Sequence, residues 1–404
     1  MYTHTEERMS SSAGAAPVPA GFATADFSRN GRIPWFIWSC LTASASIMAG
    51  LYWDISWHET IGRDTFWTPA HLLIQFAALL TAASSCYLIF GTTFGRNPAA
   101  VQSSVNVLGF RGPLGAFICA WGGAAMLVSA PFDNWWHNAY GLDVKIVSPP
   151  HAVLAVGIAG IMWGGVVLIL GQMNRAEGAQ RRRLEWMLIF SGGFMVILDM
   201  LFKLEYTNRV FMHGMTMYLV ISIWLPVLLE VIARASGWRF ARTAITSIYS
   251  VFFLLALWIF PLFPGEPKLG PVYQHVTHFI PLHFPVLLVA PAFALDLLWP
   301  KMIKANWNQW LQAAVAGIVF VVVLIAVQWP FGTFLLSPAA RNWFFGTQYF
   351  YFALPSAAAS VRNVFVHLET PRWFLAHLGL AFVAAFLSTR LGITWGNWMC
   401  RVRR

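Results

Sequence analysis

A chain of 404 residues that is 58% hydrophobic and only 10% charged has too little polar surface to fold as a water-soluble globule. The composition is that of a polytopic integral membrane protein with the lipid bilayer as its surroundings. A formal net charge of +10 does not point to nucleic acid, because most Lys and Arg fall in short loops, where the positive-inside rule puts them.

Residues 1–33 are polar and rich in Ala, Ser and Gly, without the apolar region of a signal peptide, and are expected to form a disordered cytoplasmic tail. About ten helical spans come next, near 34–53, 70–91, 113–131, 151–171, 186–202, 209–233, 243–263, 278–299, 309–329 and 371–389. The fold class is therefore an all-α polytopic membrane bundle. Arg29 and Arg32, Arg96 and Arg111, Arg175 and Arg181 to Arg183, Arg234, Arg239 and Arg242, Lys301 and Lys304, and Arg401, Arg403 and Arg404 all fall on one side of that span pattern. Both termini are thus expected in the cytoplasm and the alternate loops on the outer, periplasmic side of the cell membrane. The chain divides into a four-helix unit over 34–180, a second four-helix unit over 181–305 that reads as a possible divergent repeat, and C-terminal spans over 306–404 with a long outer loop at about 330–370. Cys40, Cys86 and Cys119 lie in or beside apolar runs and Cys400 in the tail, so no disulfide framework is implied.

The stretch 53–75 carries the chemistry. Asp54 and His58 are spaced i,i+4 and share a helix face, and His71 opens the next apolar run just past Pro69. A second pair, Asp133 and His137, recurs in the outer loop after the third span, with His151 following at the start of the fourth. Ionisable groups at membrane depth are costly and need a partner or a function. Imidazole with carboxylate suits copper, iron, zinc or nickel. The bland alternative is that each is a helix cap or a group snorkelling to the interface. Asp64, beside Arg63, reads as an ion pair or as a group orienting the ligands. In the second half His275, His278 and His283 read either as polar groups at the outer interface or as a second metal or quinone-like site.

Residues 53–71 resemble the C subunit of particulate methane monooxygenase and ammonia monooxygenase. That family carries an Asp-x-x-x-His pair followed by an Arg-Asp-Thr-x-Phe-Thr-Pro-Ser-His-like segment. This chain has Asp54 and His58, then Arg63-Asp64-Thr65-Phe66-Trp67-Thr68-Pro69-Ala70-His71. The family's second signature, Asn-Glu-Trp-Gly-His and then Pro-x-His, is matched by Asp133-Asn134-Trp135-Trp136-His137 and Pro149-Pro150-His151, with Asp133 in place of Asn. The resemblance covers roughly residues 35–170 and implies copper bound by Asp54, His58 and His71, with an adjacent position formed by His71, Asp133 and His137. The shared His71 makes these alternative positions for one ion. The same resemblance implies a distantly related, copper-binding membrane subunit of a monooxygenase-like oxidase acting on a small apolar substrate, with zinc or iron as other possible metals. No haem or iron–sulfur motif is present, so partner membrane subunits or another electron donor are expected. The competing expectations are a metal transporter or metal-delivery protein, which would need a continuous polar path, and a non-catalytic assembly subunit.

Overall fold

Proline and glycine mark where the long apolar runs of this chain begin and end as helices. The computed structural model describes residues 33–62, 65–141, 148–268, 276–347 and 368–403. In chain order the helices are α1 (Trp35–Thr60), α2 (Pro69–Phe94), a short α3 (Pro98–Gln102), α4 (Leu114–Tyr140), α5 (Pro149–Met173), α6 (Gly178–Leu201), a one-turn α7 (Leu204–Thr207), α8 (Met215–Ser236), α9 (Ala241–Ile259), α10 (Val289–Lys304), α11 (Gln309–Leu335) and α12 (Pro371–Met399). Pro69, Pro149 and Pro371 stand at the first helical position, where the missing N–H costs nothing. A hairpin of β1 (Val105–Val107) and β2 (Phe110–Gly112) lies between α3 and α4.

Among the described residues nine helices are long and apolar enough to cross a membrane: α1, α2, α4, α5, α6, α8, α9 with its short extension to Leu262, α11 and α12. The chain is almost wholly helical, and the length and composition of these helices suggest a multi-pass membrane protein. The expected span over 278–299 takes a different form: residues 276–288 form no helix and only Val289–Lys304 is helical. Pro281 and Pro285 each remove a helical donor and drive the preceding residue out of the α region. Buried non-helical backbone must still be hydrogen-bonded, and side chains from three helices serve it. Thr60 Oγ1 accepts from Ile280 N at 2.8 Å, and Tyr52 Oη from Leu282 N at 3.0 Å. Tyr249 Oη accepts from Val286 N at 3.0 Å, and Gln328 Oε1 from Leu287 N at 2.9 Å.

The two elements that build the site are the α1–α2 and α4–α5 hairpins. α4 and α5 pack backbone against backbone. A Cβ on Gly115 would strike Gly164 and Leu168, and one on Gly122 would strike Gly157 and Ile161. Gly123 of α4 lies against Ala78 and Ala82 of α2, which brings the hairpins side by side. At the far end of the bundle a buried ion cluster ties α8, α9 and α10 together. Arg242 reaches both oxygens of Glu230 at 2.6 and 2.7 Å and Asp296 at 3.0 Å. Arg242 and Arg234 both stack over the Trp299 ring.

Candidate metal centre

Both hairpins place an acid and imidazoles by the same local device. α1 ends at a glycine four residues past His58, and α4 at a glycine four residues past His137. Gly62 (φ 80°) and Gly141 (φ 90°) adopt backbone angles that other residues avoid. The chain then re-enters through Thr68-Pro69 or Ser148-Pro149, so His71 and His151 each sit in the first turn of the following helix. Ser148 Oγ accepts from the His151 backbone N–H at 3.4 Å and caps α5.

In the first arm His71 Nε2 lies 3.0 Å from Asp54 Oδ1. His71 Nδ1 is 3.0 Å from the Thr65 carbonyl, which is itself held by the Thr68 N–H at 2.9 Å. His58 Nε2 is farther from the same Asp54 oxygen, at 4.0 Å, and its side chain is 49% exposed. In the second arm Asp133 lies between two imidazoles, with His137 Nε2 at 3.5 Å from Oδ2 and His151 Nε2 at 3.4 Å from Oδ1. His137 Nδ1 faces the Gly141 carbonyl at 3.3 Å. One ligand atom from each of Asp133, His137 and His151 fits within 4.8 Å of the others.

A carbonyl can only accept, so the Nδ1 atoms of His71 and His137 carry the protons, and a neutral ring then presents a bare Nε2. Both Nε2 atoms face carboxylates. Asp54 Oδ1 and Asp133 Oδ1 are shielded from solvent and accept no hydrogen bond among the described residues. The separations in the second arm are too long for a charge-assisted N–H···O bond, which closes to about 2.7–2.9 Å. They do match the edge of a metal polyhedron, since ligands about 2.1 Å from a tetrahedral ion stand about 3.4 Å apart.

Both arms open onto one cavity of about 280 Å³, which Asp54, His71, Asp133, His137 and His151 all line. Part of its lining is apolar, with Ile74, Leu154 and Ile158 from α2 and α5 and Leu198, Leu201 and Phe202 at the end of α6. Of the sequence candidates, His58 lies outside this lining and His151 within it; among the described residues the three-donor group is Asp133, His137 and His151, without His71. Asp64 and His275 fall outside the described residues. His278 is exposed and pairs with Thr277 Oγ1 at 2.7 Å. His283 lines a separate pocket of about 10 Å³ with Arg209 and Thr347, a space of one water at most. Gln75, one turn below His71 on α2, also lines the main cavity; a single amide in an apolar run carries no motif, and only the fold reveals it.

Comparison with family models, with characterised proteins and with solved structures gives no match. The functional reading therefore rests on the geometry of the site and on the motif resemblance.

Proposed function

We propose that the Asp133, His137 and His151 group binds a transition metal and that the chain works as a metal-binding, monooxygenase-like membrane subunit on a small, largely apolar substrate. The observation that carries this is the single Asp133 carboxylate between two imidazoles at 3.4 and 3.5 Å. A bound cation would be met by nitrogen donors from both rings and oxygen donors from the carboxylate. Imidazole and carboxylate suit copper, zinc, iron and nickel, and among these the motif resemblance favours copper. Asp54 and His71 supply a second pair of donors on the same cavity.

A redox-active ion here would supply the chemistry of oxygen activation. The chain's own residues do the rest. Thr65 and Gly141 fix the tautomers of His71 and His137, as outer partners of metal-bound histidines do. The apolar wall excludes water from the inner half of the cavity and accepts an aliphatic group. The distribution of Arg and Lys supports an outward-facing site with both termini cytoplasmic, since Arg175, Arg181 to Arg183, Arg234, Arg239, Lys301 and Lys304 all follow or precede the helix ends opposite the cavity. Electrons would come from a partner subunit or a separate donor. Transport of the metal is less well supported, because α4 and α5 meet through glycines directly below the site.

The test is metal quantification and copper spectroscopy on the purified chain. One tightly held metal per chain, lost in His137→Ala, is the expected result; a chain that takes up no metal at neutral pH would overturn the reading.

A further inference from the structure

Charge at the end of the bundle opposite the metal centre does not balance. Arg242 takes two carboxylates, Glu230 and Asp296. Arg234, in the last turn of α8, shares the Trp299 ring with Arg242 but donates to neutral oxygens, Asn397 Oδ1 at 3.0 Å and Gln312 Oε1 at 3.1 Å. Arg390 of α12 lies within electrostatic reach of Arg234. Among the described residues neither Arg234 nor Arg390 forms an ion pair. An unpaired cation in a low-dielectric setting is unfavourable, so the surplus calls for an anion.

Of the two, Arg390 is the accessible one. Its guanidinium lies over the Trp310 ring at 4.7 Å, and Nη1 donates to Thr394 Oγ1. The Thr394 hydroxyl donates in turn to the Arg390 carbonyl at 3.0 Å. Nη2 makes no hydrogen bond among the described residues and, unlike Nε, is not shielded from the surroundings. Trp310 sits in the first turn of α11, which Asn308 caps, so this level is the end of a spanning helix. α12 continues from Arg390 to Met399, a further rise of about 14 Å. In the other direction Leu380, Val383 and Leu387 form an exposed apolar stripe on α12 that leads up to Arg390.

A planar cation over an exposed tryptophan, at the head of an apolar stripe, matches a lipid with its phosphate at the interface and its chain in the bilayer. We propose that Arg390 binds the phosphate of an anionic glycerophospholipid in the leaflet opposite the metal centre, with an acyl chain along Leu380, Val383 and Leu387. The guanidinium presents its donors in the geometry that phosphate oxygens accept. The further charge of Arg234 favours an anionic headgroup over a zwitterionic one, as basic pockets between membrane helices do. The inference goes beyond the proposed function; it rests on the helices crossing a bilayer and not on the metal.

The full chain, stripped of lipid in an uncharged maltoside detergent, is titrated with phosphatidylglycerol and with phosphatidylcholine of the same acyl chains, and lipid-bound species are counted by native mass spectrometry. Phosphatidylglycerol is expected to bind about fivefold or more tightly than phosphatidylcholine at one site. Arg390→Gln should bring its affinity down to that of phosphatidylcholine, and Arg390→Leu should do the same if the glutamine variant fails to fold. Arg183→Gln, at an exposed arginine on the same side of the span pattern, should change nothing. An excess of inorganic phosphate should leave the bound lipid in place. Equal binding of the two lipids, a preference that survives in Arg390→Gln, or an equal loss in Arg183→Gln would overturn the inference. Displacement of the lipid by inorganic phosphate would show a site for the free anion and overturn the lipid assignment equally. Metal content should be the same in all these proteins, so the lipid site and the metal site stand or fall separately.

Discussion

Buried acids occur at both ends of this bundle, and they are treated in opposite ways. Glu230 and Asp296 are 1% and 0% exposed, and Arg242 pairs with both through hydrogen bonds of 2.6–3.0 Å. Asp54 faces His71 and Asp133 faces His137, and the Nδ1 atom of each of these two rings is committed to a carbonyl. The first arrangement carries its own cation and is complete. The second has no Arg or Lys paired with Asp54 or Asp133 among the described residues, and in the proposed function a metal ion takes that place. A third acid shows the intermediate step. Asp199 lies in the last turn of α6, and four residues on it meets Lys203, whose ammonium lies 2.6 and 2.7 Å from its two oxygens. Where the two Asp-x-x-x-His pairs carry histidine this position carries lysine, and the result is a closed ion pair.

The contrast can be broken from the closed side first. Arg242→Met leaves two buried carboxylates without a cation and should cost about 3–5 kcal/mol, read as a fall in the unfolding midpoint in detergent. Adding Glu230→Gln and Asp296→Asn to it should recover most of the loss. Lys203→Met strands a single acid nearer the surface and should cost less, about 1–3 kcal/mol, with metal content unchanged. On the open side, Asp133→Asn removes the charge but keeps an oxygen donor. It should retain metal at reduced affinity, measured by competition with a chelator. The smallest effect is expected from His58→Ala. An exposed ring 4.0 Å from Asp54 should change metal affinity by no more than about tenfold, the lower end for groups outside the coordination sphere. Complete loss of metal in that variant would move the site back to the α1 pair.

Helix periodicity and loop charge made most of this bundle legible in the sequence, because apolar length is a local property. The region 278–299 was not, since a hydropathy window registers the apolar side chains of Pro281 and Pro285 and ignores their missing donors. Nor does any window register Tyr52, Tyr249 and Gln328, which hydrogen-bond that segment from helices far along the chain. The site was legible to the level of the two Asp-x-x-x-His pairs. The i,i+4 spacing places two groups on one face, but it does not say which of them turns inward, and His58 turns outward. Choosing between His71 and His151 as the third donor beside Asp133 required the α4–α5 packing. The Glu230, Arg242 and Asp296 cluster joins residues 12 and 54 positions apart and leaves no local signal.

That Asp133, His137 and His151 jointly hold a metal ion is tested most directly by metal per chain. It is measured on wild type and on the His137→Ala, His151→Ala double variant after equilibration with copper and removal of loose ions. The variant should lose one equivalent relative to wild type while its metal-free unfolding midpoint stays within about 1 kcal/mol in stability. Equal metal content in the two proteins, with both folded, would contradict the proposed site.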